Sequence, residues 1–84
     1  MAYYVYILKS LVTDKFYVGS TQDLEARLIR HNEGRSKFTK PFRPWKIVHT
    51  ERFETRSEAT KRERTIKNRK SSAYIESLVR TSRR

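Results

Sequence analysis

Hydrophobic residues fall in a few short runs along the chain, and the first, Y-Y-V-Y-I-L, occupies residues 3 to 8. Apolar side chains at consecutive positions are typical of a strand buried on both faces, so we expect this strand at the centre of its sheet. Ser10, Thr13 and Asp14 then predict a turn. The run F-Y-V-G-S at residues 16 to 20 predicts a second strand that forms an antiparallel hairpin with the first. The turn contains no Asn-Gly pair, so its sequence leaves the register of the hairpin open.

Residues 22 to 33 have the periodicity of an amphipathic helix. Ser20 or Thr21 is expected to cap its start, because both side chains can accept a hydrogen bond from a free backbone N–H. Gly34 is expected to end it. Two leucines, four positions apart, mark its buried face: Leu24 and Leu28.

The segment from 35 to 44 reads as a loop that carries cations and two phenylalanines, and residues 45 to 53 predict a third strand. Thr55 and Glu58 then match the spacing of a capping box, in which each side chain binds the backbone N–H of the other residue. This pair predicts a second helix that runs to about Asn68.

A third helix is expected after Ser71 or Ser72, either of which can cap it, and the basic tail at residues 81 to 84 is expected to fray. The elements thus follow the order ββαβαα. We predict an α+β fold in which one three-stranded antiparallel sheet is flanked by three helices. With 84 residues the chain is long enough for one domain, whose core is expected between about residues 3 and 80.

Charge narrows the expected partners. The chain has 20 lysines and arginines against 9 acidic residues, a net charge of +11. Residues 43 to 84 hold 13 of the basic and 5 of the acidic side chains, so most of the excess lies in the second half. A balance of this kind favours polyanionic partners, nucleic acid first. The sequence contains no cysteine, which excludes disulfides and thiolate metal sites and fits a reducing compartment. No run is long enough for a membrane helix, so we expect a cytoplasmic protein.

Several polar residues sit where they could carry chemistry. A tyrosine occurs in each hairpin strand, Tyr6 in V-Y-I and Tyr17 in Y-V-G. Arg27 and His31 continue the inward face of the first helix. Glu63 is the one carboxylate in the stretch K-R-E-R-T-I-K-N-R-K at residues 61 to 70.

The paired tyrosine motifs, the segment D-L-E-A-R-L-I-R-H-N and the segment E-A-T-K-R-E-R-T-I-K together resemble a GIY-YIG nuclease domain, in particular its small single-domain bacterial members. The first motif departs from the family name, with Val5 in place of glycine. The resemblance implies divalent-metal-dependent cleavage of phosphodiester bonds. It implies catalytic roles for five residues: Tyr6, Tyr17, Arg27, His31 and Glu63. It also implies that Glu63 is the metal ligand, and that Gly19 and Asn32 belong to the structural motif, with Gly19 leaving room for a phosphate.

Physical chemistry gives these roles a reason. Phosphodiester hydrolysis builds up negative charge that a divalent ion and a fixed guanidinium stabilise. Mg²⁺ or Mn²⁺ can be held by one carboxylate when water and phosphate complete its shell. The attacking water must lose a proton, for which Tyr17 is the first candidate, with His31 or Tyr6 sharing the role.

Each residue also has a structural alternative. The tyrosines are common core residues, the Arg27 stem can cover apolar surface, and His31 can complement the helix dipole. Glu63 can form an ion pair with Lys67, four residues later. The corresponding alternative for the whole protein is a non-catalytic nucleic-acid-binding module that retains the nuclease fold.

For nucleic-acid contacts, DNA before RNA, we expect basic residues and one ring that can stack on a base. They are Lys15, Arg35, Lys37, Phe38, Lys40, Arg62 and Lys67. A protein partner that supplies substrate specificity is also expected, since the chain is accounted for by one domain.

Overall fold

A computed structural model describes residues 2–82 and contains three strands and three α-helices. The strands are β1 (Tyr3–Ser10), β2 (Phe16–Thr21) and β3 (Trp45–Phe53), and the helices are α1 (Leu24–Asn32), α2 (Arg56–Arg69) and α3 (Ser72–Ser82). A short 3-10 helix at Lys40–Phe42 precedes β3. The sheet has the order β2-β1-β3, and both strand pairs are antiparallel. The predicted α+β fold with the order ββαβαα is confirmed.

Strand β1 lies at the centre of the sheet, as its unbroken apolar run predicts. Its residues Val5, Tyr6, Ile7 and Leu8 are between 0% and 1% exposed. Because successive side chains of a strand point to opposite faces, Val5 and Ile7 join one hydrophobic cluster while Tyr6 and Leu8 join another. Side chains of α2 and α3 cover the first face, and side chains of α1 cover the second.

Ser10, the last residue of β1, stabilises the loop of the β1–β2 hairpin and is 1% exposed. Its hydroxyl accepts hydrogen bonds from the backbone N–H groups of Val12 and Thr13, both at 3.1 Å. The same hydroxyl donates to the carbonyl of Phe42 at 2.6 Å. The register of the hairpin pairs Tyr6 with Gly19 across the two strands, which decides the geometry of the site described below.

The start of α1 corrects one prediction. Asp23 is its N-cap, and the Asp23 carboxylate accepts a hydrogen bond from the N–H of Ala26 at 3.0 Å. Ser20 and Thr21, the predicted caps, are still part of β2, because Thr21 pairs with Tyr4 of β1. Because the strand continues to Thr21, Asp23 is the next residue along the chain whose side chain is a preferred helix cap.

The end of α1 agrees with the prediction. Gly34 has φ of +80°, a left-handed conformation in which a Cβ atom would be strained, and it directly follows the last turn. Asn32, the last residue of the helix, fixes α1 to the sheet. Its side-chain amide donates to the Trp45 carbonyl at 3.1 Å and accepts from the Trp45 N–H at 2.6 Å. The two bonds hold the inward face of α1 over the second face of the sheet.

The capping box at the start of α2 is present: the Thr55 hydroxyl accepts from the Glu58 N–H, and the Glu58 carboxylate accepts from the Thr55 N–H. For α3 the structure identifies Ser71 as the cap, since its hydroxyl accepts from the Tyr74 N–H at 3.2 Å. Helix α3 extends to Ser82, two residues into the segment predicted to fray. The predicted fraying of residues 83 and 84 lies outside the described residues. Within residues 2–82, no helix is both long and apolar enough to cross a membrane.

Candidate active site

A buried hydrogen-bonded pair joins the central strand to the first helix. The Tyr6 hydroxyl lies 3.1 Å from Nε2 of His31, and Nδ1 of His31 lies 2.8 Å from the hydroxyl of Thr39. Tyr6, His31 and Thr39 are 1%, 3% and 0% exposed. All three polar groups are therefore removed from water and depend on each other for hydrogen bonds.

Protonation states follow from the burial. Burial raises the pKa of Tyr6 to about 12, with a further rise from neighbouring Tyr17, while Arg27 acts in the opposite direction. Burial also lowers the pKa of His31, as do the charges of Arg27 and Arg30. At neutral pH the phenol is thus protonated and the imidazole neutral. The arrangement that gives every proton an acceptor has Tyr6 donating to Nε2 and the Nδ1–H of His31 donating to Thr39.

Gly19 makes this pair possible. It faces Tyr6 across the hairpin, and a Cβ atom at position 19 would lie 2.5 Å from the Tyr6 hydroxyl and 2.7 Å from the ring carbon that carries it. Both distances are well inside van der Waals contact, so a side chain at position 19 would displace the phenol from His31. The family resemblance predicts that Gly19 leaves room for a phosphate. In the structure, the space beside Gly19 is filled by the Tyr6 hydroxyl.

Tyr17 differs from Tyr6 in its surroundings. It lies on the edge strand β2, is half-buried, and lines an open groove. Its ring centroid is 5.0 Å from that of His31 and 6.4 Å from that of Tyr6. The Nζ atom of Lys67, on α2, lies 5.8 Å from the Tyr17 ring. Of the two predicted catalytic tyrosines, Tyr17 is the one that solvent and a ligand can reach.

Arg27 lies on α1, one turn before His31, and is half-buried. Its positive charge acts on both Tyr6 and His31, as their pKa shifts show. Together with Ser20, Arg27 lines a small cleft of about 270 Å³ at the start of α1. The predicted inward orientation of Arg27 is therefore present, and its guanidinium belongs to the same cluster as the Tyr6–His31 pair.

Glu63 approaches the cluster from α2, on the other face of the sheet. Its Oε1 accepts a hydrogen bond from the Ser20 hydroxyl at 2.7 Å, and its Oε2 pairs with Nζ of Lys67 at 2.6 Å. The side chain is 20% exposed, and its negative charge contributes to the raised pKa of Tyr6. The ion pair with Lys67 is thus present, and the carboxylate also binds Ser20 of β2, the strand that carries Tyr17 and Gly19.

The donors at this point fit a hard divalent cation. A carboxylate with a neighbouring hydroxyl offers only oxygen ligands, which suit Mg²⁺ or Mn²⁺. Among residues 2–82, no three histidine or acidic side chains cluster as a ready-made metal cage. The residues therefore suit an ion that takes most of its ligands from water and phosphate, which is how Mg²⁺ commonly binds.

The predicted nucleic-acid contacts divide into two sets. Four of them line the groove beside Tyr17: Lys15, Lys37, Phe38 and Lys67. Three are absent from its lining: Arg35, Lys40 and Arg62. Arg62 forms a two-point ion pair with Glu51 of β3, at 2.7 Å and 3.1 Å, and also donates to the Tyr74 hydroxyl. That arrangement gives Arg62 a structural role in tying α2 to β3 and α3.

Two site residues have no counterpart in the sequence prediction. Ser20 binds Glu63, and Thr39 binds His31. The alternation of β2 contains a signal for Ser20, because its side chain must point away from the Tyr17 and Gly19 face, toward α2. Thr39 lies in a loop with no periodicity, so the sequence offers no signal for it.

Comparison with known proteins agrees with the geometry. The GIY-YIG catalytic domain matches residues 2–75 of this chain. The UPF0213 protein of Staphylococcus saprophyticus is 46% identical over 66 residues, covering 77% of this chain and 79% of its own. The UPF0213 protein of Listeria welshimeri is 47% identical over 66 residues, covering 77% and 72%. The solution NMR structure of the UPF0213 protein BH0048 from Bacillus halodurans has a TM-score of 0.54 at 31% identity, covering 90% of this chain and 84% of that one.

The match over residues 2–75 confirms the predicted GIY-YIG family, and the sequence relatives and the solved structure are UPF0213 proteins. Tyr6, Tyr17 and Gly19 lie in the hairpin, Arg27 and His31 on α1, and Glu63 on α2, all within the matched residues. The chain belongs to the GIY-YIG domain family, whose members are generally nucleases, and within it to the UPF0213 proteins.

Proposed function

We propose that this protein is a cytoplasmic, metal-dependent endonuclease that hydrolyses phosphodiester bonds in nucleic acid, with DNA as the first substrate to test. One observation carries the proposal. The Tyr6 hydroxyl and His31 share a hydrogen bond, the Tyr17 ring lies 5.0 Å from that of His31, and the charges of Arg27 and Glu63 both act on the pKa of the Tyr6 hydroxyl. These residues come from four different elements, so chain proximity alone does not explain why they meet.

Each side chain has a task in this chemistry. Arg27 stabilises the charge that develops on the phosphoryl oxygens, for which a planar guanidinium is well suited. Glu63 holds Mg²⁺ or Mn²⁺, which when bound supplies further stabilisation of that charge and of the leaving oxygen. Tyr17, the accessible tyrosine, takes the proton of the attacking water as its phenolate, after its own phenolic proton has passed to solvent through the open groove.

His31 has both ring nitrogens engaged in internal hydrogen bonds, and Tyr6 is almost fully buried. We assign these two residues a positioning role. The pair fixes the inner wall of the site, against which the Tyr17 ring packs at 5.0 Å from His31. Because the His31 imidazole is neutral, it does not repel the Arg27 guanidinium. The guanidinium therefore remains available to bind the substrate.

The test is incubation of the purified protein with a panel of labelled duplex, single-stranded and branched DNA and RNA, each with Mg²⁺, Mn²⁺ or EDTA. We expect cleavage of at least one substrate with either metal and none with EDTA. Cleavage that persists in EDTA would contradict the metal dependence. The Glu63→Gln variant, purified by the same procedure, is the control for contaminating nucleases.

A non-catalytic binding module is the second candidate, and one observation favours it. Both oxygens of Glu63 already accept hydrogen bonds, from Ser20 and Lys67, as a purely structural carboxylate would. A well-folded protein that binds the panel but cuts none of its members with either metal would support this alternative.

A further inference from the structure

An open groove of about 1060 Å³ runs along the edge strand beside Tyr17. Its floor is apolar and includes Phe16 and Val18 of β2. The end of α2 forms one side, and the loop that contains Lys37 and Phe38 forms the other. Because Tyr17 itself lines the groove, a chain lying in it would pass beside the accessible tyrosine of the candidate site.

Four lysines line this groove: Lys15, Lys37, Lys67 and Lys70. One acidic residue, Asp14, accompanies them. Within the part of the chain that the structure describes, only Lys67 among these lysines belongs to an ion pair. The groove is therefore complementary in charge to a phosphate backbone.

Phe38 stands at the mouth of the groove with 77% of its surface exposed. Its ring begins a row of aromatic rings that leads inward, with centroids separated by 6.4 Å to Tyr17, then 5.0 Å to His31, then 6.1 Å to Tyr6. An exposed phenyl ring gains by being covered, and a flat ligand can cover it without any change in the fold. A nucleobase is such a ligand, and stacking on an aromatic side chain stabilises it by about 1–3 kcal/mol.

We propose that the groove binds an unpaired nucleic-acid strand, with its phosphates on the lysines and one base stacked on Phe38, and that it presents the adjoining phosphodiester to Tyr17. This inference rests on the proposed function, because it assigns the groove as the substrate path to that site. A base inside a duplex is already stacked on both faces and cannot cover Phe38 unless it leaves the helix. The groove therefore selects a single-stranded segment over a regular duplex.

The test measures binding in EDTA, so that it does not depend on cleavage. Fluorescence anisotropy gives the affinity of the parent, Phe38→Ala, Phe38→Trp and Ile29→Ala for one labelled 12-residue sequence. That sequence is offered as single-stranded DNA, as single-stranded RNA and as duplex DNA. Ile29 is the matched control, since its side chain is 52% exposed on α1 and is absent from the groove lining.

Phe38→Ala is expected to weaken single-strand binding by about 5- to 150-fold, the stacking range converted at 1.4 kcal/mol per tenfold. Duplex binding should change by less than about twofold, because phosphate contacts supply it. Phe38→Trp should bind as the parent does, and Ile29→Ala should change neither ligand. A parallel loss on DNA and RNA single strands identifies the base and not the sugar as the group bound.

Equal weakening of single-strand and duplex binding by Phe38→Ala would overturn the inference, and so would no weakening of either. Since Phe38 is largely exposed, the variant should melt at the parental temperature, which a thermal scan checks. The two proposals fail separately. A protein that cuts duplex DNA but shows no Phe38 effect keeps the proposed function. A protein that shows the effect but never cuts loses the function and keeps the strand-binding groove.

Discussion

The Tyr6 hydroxyl lies 3.1 Å from Nε2 of His31, and this hydrogen bond joins the central strand to α1. The bond exists because position 19, opposite Tyr6, has no side chain. A substitution at either position should therefore change the stability of the fold and, under the proposed function, the rate of cleavage.

Replacement of Gly19 by alanine should disrupt this contact. The new Cβ would overlap the Tyr6 hydroxyl, and overpacking of this kind costs about 1–3 kcal/mol of unfolding free energy. Urea denaturation of Gly19→Ala, Tyr6→Phe and the double variant measures the effect. The double variant should be less destabilised than the sum of the two single ones, since both break the same hydrogen bond. Strict additivity would show that the two positions do not interact.

The two tyrosines should differ in what their hydroxyl groups support. Tyr6→Phe leaves Nε2 of buried His31 without its donor and should cost about 1–3 kcal/mol of stability. Tyr17→Phe alters a half-buried residue in an open groove and should cost less than about 1 kcal/mol. The effects on the cleavage rate should have the opposite order. If Tyr17 accepts the proton of water, Tyr17→Phe should lower the rate by about 10²- to 10⁴-fold. Parental cleavage by Tyr17→Phe would remove it from the mechanism.

Stability should depend on pH through His31. Burial, together with Arg27 and Arg30, lowers the pKa of His31 below its ordinary 6.5 in the folded protein. Between that lowered value and 6.5 the unfolded state binds the proton and the folded state resists it, so stability falls as pH falls through this window. Above pH 6.5 His31 is neutral in both the folded and the unfolded state, so its protonation no longer lowers the free energy of unfolding. Urea midpoints of the parent and His31→Gln between about pH 5 and 8 test this. The variant should have the shallower profile, and parallel profiles would refute the assignment.

The Arg27→Lys variant distinguishes a role of Arg27 in cleavage from a role in attracting nucleic acid by its charge. The substitution keeps the positive charge but loses the planar fork that can contact two phosphoryl oxygens at once. We expect cleavage to fall by about 10²- to 10³-fold. Binding in EDTA should change by less than about threefold, since long-range attraction depends on charge. If the lysine variant cuts as fast as the parent, Arg27 serves only to cover the core.

The fold was largely predictable because its elements carry local signals. The continuous apolar run of β1 indicated a central strand, and the Thr55–Glu58 pair indicated the start of α2. The cap of α1 was not predictable in the same way. Three good capping residues follow one another within four positions, and the choice among them depends on how far β2 pairs with β1, which is a tertiary property.

The site was predictable only as far as the family resemblance reaches. The resemblance named Tyr6 and Tyr17 together, but the structure shows one buried and one facing a groove. That difference arises from the position of each strand in the sheet. The pairing of Arg62 with Glu51 was likewise hidden, because it joins residues eleven positions apart on different elements. Among the charges of α2, only tertiary packing decides that Arg62 turns to β3 while Glu63 turns to Ser20.

The account depends most on Glu63, whose replacement by glutamine is the direct test. The amide preserves shape and can still accept from Ser20, so the fold should persist. Glu76→Gln, an exposed position on α3, makes the same change in net charge and is the matched control. Metal-free binding of nucleic acid by Glu63→Gln should hold or tighten, because a negative charge has been removed from a basic surface.

The deciding measurement is the rate of Mg²⁺- or Mn²⁺-supported cleavage by Glu63→Gln at a protein concentration where binding is saturated. The account predicts a fall of about 100-fold or more against the parent, with Glu76→Gln unchanged. Parental cleavage by a Glu63→Gln protein that melts at the parental temperature would falsify the assignment of Glu63 as the metal ligand.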